Sequence, residues 1–133
     1  MSETITAAQI KKYQKYTTPQ LRKKVGEKFR KWIRERDKDQ PCISCGKYTT
    51  LQAGHFYSAG HYPVLEFHPD NVHGQCLRCN YHLHGNLIHY RENLIERIGL
   101  ERVEKLDFIA AESKRKGFKH DRFTLIEITN KIV

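Results

Sequence analysis

Asn71-Val72-His73-Gly74-Gln75-Cys76-Leu77-Arg78-Cys79-Asn80 is the stretch that decides how this chain is read. It carries one Cys-x-x-Cys pair, and a second pair, Cys42-Ile43-Ser44-Cys45, precedes it with 30 residues between them. These are all four cysteines of the 133-residue sequence. Two short-spaced thiolate pairs complete a tetrahedral zinc site with no further ligand. A redox role needs only one such pair, at a helix start beside a βαβ pattern, and that pattern is absent. One closed site consumes every sulfur, so a zinc-dependent hydrolase or deaminase, which needs an open coordination position, fits poorly. Seven of the eight histidines lie between His55 and His89, inside or just after the cysteine bracket.

Outward from that centre the charge is uneven. Residues 1–40 carry twelve Lys/Arg against five Asp/Glu, residues 41–90 carry two of each, and residues 91–133 carry ten against eight. The formal surplus of +9 therefore sits mostly on the N-terminal segment and leaves the Cys/His centre neutral. A basic segment suits phosphate binding, although a solvated helix face gives the same composition. No apolar run reaches the length of a membrane span and no signal-peptide core is present, which predicts a soluble intracellular protein without a membrane partner. Paired thiols in a reducing compartment favour metal over disulfide.

The pattern predicts a mostly helical α+β chain. A first helix is expected over residues 6–16, and a second over 19–37 with Thr18 as its cap and Pro19 in its first position. Leu21, Val25, Phe29, Trp32 and Ile33 form the apolar stripe of that second helix. Arg22, Lys23, Lys24, Lys28, Arg30, Lys31 and Arg34 fill much of its remaining surface and are the candidate DNA-binding residues. Short strands are expected at 48–51 and 64–67, and a helical pattern begins near Cys79 and breaks near Gly85. Two helices follow, over 91–98 and 101–114, the second burying Val103, Leu106, Phe108 and Ile109. The segment with Phe123, Ile126, Ile128 and Ile132 reads as a last helix, or else a strand. This gives three stretches: a basic helical arm (1–40), a zinc-stapled centre (41–100) and C-terminal helices (101–133).

Cys42-x-x-Cys45, Gly54-His55, Asn71 and Cys76-x-x-Cys79-Asn80 resemble a zinc-stapled HNH endonuclease, of the ββα-metal or His-Me finger class. The longer string resembles the phage NinG (Rap) recombination proteins: Ala53-Gly54-His55-Phe56, Leu65-Glu66-Phe67, the segment 71–80, Gly85-Asn86 and the 91–99 helix. The close likeness covers about residues 40–100. It implies a small ββα-metal core stapled by zinc on Cys42, Cys45, Cys76 and Cys79. It further implies that His55 is the general base, that Asn71 holds the His55 loop through backbone hydrogen bonds, and that Asn80 ligates a catalytic Mg²⁺ or Mn²⁺. An imidazole titrates near neutral pH, and an amide oxygen is a hard ligand suited to those ions. The sequence departs from the HNH pattern at Gly54, where a second metal ligand is usual. His82 and His84 are the leading replacements, ahead of Asp70 and His73, while packing or phosphate contact remains the alternative for both. His61, His68, His89 and His120 read as background.

The resemblance implies a structure-specific endonuclease that cuts branched recombination intermediates, such as Holliday junctions and D-loops, in the cytoplasm of a bacterial host. Two symmetric nicks in a four-way junction favour a homodimer. The competing reading is a non-catalytic zinc-finger module that binds DNA or RNA, which explains the cysteines and the charge without His55, Asn71 or Asn80.

Overall fold

Helices α1 (Ala7–Tyr13) and α2 (Thr18–Arg36) each begin at a threonine followed three residues later by glutamine. Thr6 with Gln9, and Thr17 with Gln20, form reciprocal capping boxes that satisfy two otherwise orphaned N–H groups per helix. The cap of α2 is thus Thr17 and not Thr18, because only Thr17 has a glutamine at the required spacing. The computed structural model describes residues 4–132; residues 1–3 and 133, at the outer ends of the first and last stretches, lie outside the described residues.

The remaining elements are strands β1 (Gln52–His55) and β2 (Val72–Gln75) and helices α3 (Leu87–Ile98), α4 (Leu100–Lys116) and α5 (Arg122–Lys131). Short 3₁₀ turns occupy Pro63–Leu65 and Pro69–Asn71, and a five-residue π turn occupies Arg78–His82. The class is α+β, mostly helical, with one antiparallel two-stranded sheet paired from Gln52↔Gln75 to His55↔Val72. Neither strand stands where the sequence pattern put it. Residues 48–51 form no strand, and residues 64–67 turn instead of extending. Pro63 fixes the start of that turn, and its alternation has another origin: Leu65 and Phe67 enter different cores.

The first core joins Leu21, Val25, Phe29 and Ile33 of α2 to Leu125, Ile126 and Ile128 of α5, with Tyr13, Phe67 and Val72. It draws on all three stretches, so the basic segment is not a free arm. The second core joins Tyr90 and Leu94 of α3 to Val103, Leu106 and Ala110 of α4, with Ile43 and Leu65. Phe108, expected in that core, is exposed, since two residues beyond Leu106 point to the far side of a helix. The last segment is a helix, capped by Asp121.

The sheet lies between the two cores and is pinned at its ends. Arg36 grips the buried Asp37 carboxylate at 2.7 and 2.8 Å and donates to the carbonyls of Pro69 and Val72. Asp37 in turn accepts from the Gly74 N–H at 2.8 Å, tying the end of α2 to β2. The Tyr90 hydroxyl donates to the Gly54 carbonyl at 2.8 Å and ties α3 to β1.

Candidate functional site

Cys42, Cys45, Cys76 and Cys79 converge, with all four sulfurs within 4.8 Å of one another. A zinc–thiolate tetrahedron with bonds near 2.3 Å has an S···S edge of about 3.8 Å. The Cys45–Cys76 sulfurs stand 3.8 Å apart. The surrounding donors suit thiolates: the Cys76 N–H points at the Cys42 sulfur (3.3 Å), the Cys79 N–H at Cys76 (3.4 Å) and the Asn86 amide at Cys79 (3.5 Å). Against the effect of burial, the N–H groups of Cys76, Cys45 and Ser44 bring the Cys42 thiol down to about 7. Burial pushes Cys79 up to about 12, and the neighbouring thiols oppose its ionisation further. A divalent cation at the centre removes that conflict, so the donor set fits one structural metal such as zinc.

His55 closes β1, and its Nε2 lies 2.8 Å from the Glu66 carbonyl. A carbonyl only accepts, so Nε2 carries the proton and Nδ1 is the basic atom of the neutral ring. Burial lowers the His55 pKa below the ordinary imidazole value, and the Arg30 guanidinium adds to this against the pull of Glu66. The ring is therefore an unprotonated base at neutral pH. Asn71, fully buried, accepts from the Tyr57 N–H at 2.8 Å and donates to the carbonyls of Tyr57 (2.9 Å) and Leu65 (3.0 Å). These three bonds fasten the chain leaving His55 to the turn that supplies the Glu66 carbonyl.

The other sequence candidates are distributed differently. Asn80 donates to Gln52 at 2.8 Å, at the end of β1 opposite His55. His82 is exposed, edge-on to Tyr81. His84, held at φ 49° in the turn before α3, shares a cleft with His55. Asp70 is paired with Arg102, and His73 is buried beside Asp37 and Arg36, its pKa lowered to about 3 by burial and by Arg36. Among the described residues, the four cysteines are the one cluster of three or more Cys, His, Asp or Glu ligands. Gly54 is explained by packing: a Cβ there would collide with the Gln75 side chain, whose Cβ would be 2.8 Å away. Gln75 is itself fixed by bonds to Ser44 (2.8 Å) and the Gly85 carbonyl (2.6 Å), linking the first knuckle to the turn before α3.

Six of the seven candidate DNA-binding cations fall on two edges of α2. Arg22, Lys23 and Arg30 line a cleft of about 880 Å³ with Glu66 and His120. Lys24, Lys28 and Lys31 face the other way, towards Tyr13, Tyr16 and Trp32, and Arg34 is exposed. Only the first set adjoins His55. Arg30 pairs with no acid among the described residues, and its charge reaches His55, whereas Arg22 bonds Glu66 at 2.7 Å.

Two residues at the site escaped the sequence reading. Glu66 acts through a backbone carbonyl, which no side-chain pattern reveals. Its carboxylate is held by Arg22 and by His120 at 3.1 Å, so His120, remote in sequence, braces the same turn. One signal was present: Glu66 is one of only two acids between residues 41 and 90.

A family model described as "Bacteriophage Lambda NinG protein" matches residues 2–130. Protein ninG of Escherichia phage lambda is 50% identical over 78 residues, covering 57% of this chain and 38% of that protein. Protein ninG of Salmonella phage P22 matches to the same extent, and that of Escherichia phage 933W is 50% identical over 78 residues and 39% of its length. The match thus spans under half the length of these curated relatives. No solved structure matches.

Proposed function

This chain belongs to the NinG family of phage proteins, and from that membership we propose that it is an endonuclease hydrolysing phosphodiesters in branched recombination DNA. The observation that carries the reading is His55. It is a neutral imidazole whose Nε2–H is locked on the Glu66 carbonyl, beside the Arg30 guanidinium and at the end of β1, whose partner strand leads into a helix. A ring held in one tautomer presents Nδ1 to a water and accepts its proton as that water attacks phosphorus. Arg30 contributes a positive charge near the phosphate, and Arg22 and Lys23 extend it along the DNA backbone. Recognition through phosphates reads shape and not sequence, which suits a branched substrate.

Mg²⁺ is commonly held by one or two protein ligands together with substrate phosphates, and no step here is routed through such an ion. The Asn80 amide, spent on Gln52 at the far end of β1, favours a second reading, a non-catalytic zinc module that binds nucleic acid. A symmetric four-way junction calls for two copies of the chain.

The test uses a labelled four-way junction and a linear duplex, with the zinc-loaded protein and its His55→Ala variant, with Mg²⁺ added or omitted. Nicking of the junction by the wild type, and at least a hundredfold less by the variant, is the expected result for a lost general base, worth about 10²–10⁴ in rate. Junctions bound but intact under every condition favour the non-catalytic module.

A further inference from the structure

The cleft that holds His55 and His84 measures about 660 Å³. Phe56, Tyr57 and Tyr62 line it, together with Leu87 and Ile88 from the first turn of α3. While Tyr90 and Leu94 of the same helix are buried, Leu87 is 45% and Ile88 76% exposed. An apolar residue so exposed at the mouth of an apolar cleft stands out on a surface otherwise rich in charge.

The aromatic residues are braced from behind. The Tyr57 hydroxyl donates to Asp107 at 2.5 Å, and Arg91 grips the same carboxylate at 2.7 and 3.0 Å while lying 5.9 Å from the Phe56 ring. Tyr57 meets Tyr62 edge-on at 4.8 Å and Phe56 at 5.0 Å. The Lys114 ammonium sits 4.6 Å from the Tyr62 ring. The result is a preformed aromatic slot with cations around it.

Resting on the functional reading above, we propose that this cleft holds a nucleobase unstacked at the branch point of the DNA, with Ile88 wedged into the gap the base leaves. Three observations commit the cleft to this occupant. It is continuous with the His55 site, so a base lodged in it brings its own phosphate to the catalytic ring. Phe56, Tyr57 and Tyr62, set edge-on to one another along the cleft, give aromatic surface on which a base can stack, and every base has a π-face to offer. Lys114 at the Tyr62 ring and Arg30 beside His55 complement a polyanion, while Arg91 is neutralised by Asp107 and holds the aromatic residues in place, with Glu92 at the rim. A second copy of the chain seated here would instead cover His55 and shut out substrate. Stacked bases of a linear duplex have nothing to place in the cleft, whereas a branch point has bases at the ends of its stacks. Apolar side chains inserted at base steps are a known way to hold such distortion.

The experiment measures junction affinity with every sample in the same His55→Ala background, so that only differences between junctions and between second-site variants are read. Four-way junctions carry an abasic nucleotide at each branch-point position in turn. One abasic position is expected to weaken binding about tenfold, the scale of one lost base–aromatic stack. Ile88→Ala and Tyr62→Ala should each weaken binding to the intact junction similarly, leave duplex binding unchanged, and abolish the penalty of the abasic site. Tyr62→Phe keeps the ring face and should restore wild-type behaviour. If every abasic junction binds like the intact one, the inference is overturned while the nuclease reading stands. If Ile88→Ala turns a dimer into a monomer in sedimentation and the abasic penalty is absent, the cleft belongs to a second copy and the inference again fails. Loss of binding to all DNA by the folded wild type would remove the functional reading and this inference with it.

Discussion

Replacing Asn71 by alanine is expected to cost about 3–5 kcal/mol of stability, a large share of what a domain of this size has. The side chain is fully buried and makes three bonds, all to backbone: one accepted from Tyr57 and one donated to each of the Tyr57 and Leu65 carbonyls. At about 1 kcal/mol per bond the net loss is about 3 kcal/mol, and stranding the buried Leu65 carbonyl and the half-buried Tyr57 backbone groups raises it towards 5. The same loss loosens the segment that leaves His55 and the turn that presents Glu66 to it. Urea unfolding of the zinc-loaded protein checks the magnitude, through a lower midpoint at unchanged slope. Asn71→Asp separates donor from acceptor: it keeps the oxygen for the Tyr57 N–H but sets a carboxylate against two carbonyls. At pH 8 it should be at least as unstable as the alanine variant. A loss under 1 kcal/mol for Asn71→Ala, or a stable Asn71→Asp, would refute the claim that this amide organises the loop.

Metal analysis should find about one zinc per chain, from the four-thiolate count. Cys76→Ser should lose both the metal and the native fold of residues 41–86, and a variant with full helical content and unchanged melting sinks the structural assignment. His73 supplies a pH signature. Its folded pKa of about 3 lies below the unfolded value of 6.5, so the unfolded chain binds a proton that the folded one refuses. Its contribution is complete above about pH 6.5 and declines as pH falls towards 3, by about 2 kcal/mol between pH 8 and pH 5. His73→Leu should flatten most of that slope in unfolding curves taken across this range, and an unaltered slope would show that the decline arises elsewhere. Gly54→Ala should destabilise by about 1–3 kcal/mol through overpacking against Gln75. The double-mutant cycle with Gln75→Ala should recover at least about 1 kcal/mol, and strict additivity would show that the two side chains do not meet.

Much of the local structure was legible. The meeting of the four cysteines, the helices and the stripe of α2 follow from spacing, because ligand geometry and helical periodicity act over a few residues. The strands were not, since a two-stranded sheet is set by its partner, and Val64 to Phe67 alternates for two cores at once. Phe108 was misread because it adjoins Ile109 in the chain, whereas the buried face of α4 runs through Val103, Leu106 and Ala110 and passes it by.

For the candidate site the division is sharper. The sequence alone determined which chemistries are available: four thiols for one metal, a histidine beside a glycine, an asparagine in a turn, and a basic helix. Tertiary structure decided which of these meet. It gave Asn80 to Gln52 and His84 to the His55 cleft, split the α2 cations between two edges, and filled the space beside Gly54 with Gln75. It also recruited Glu66 and His120, 54 residues apart, to hold one ring. The physical reason is that a ligand set or a helix cap is closed by neighbours in the chain, whereas the direction of a side chain across a strand or helix is settled by whatever buries the opposite face.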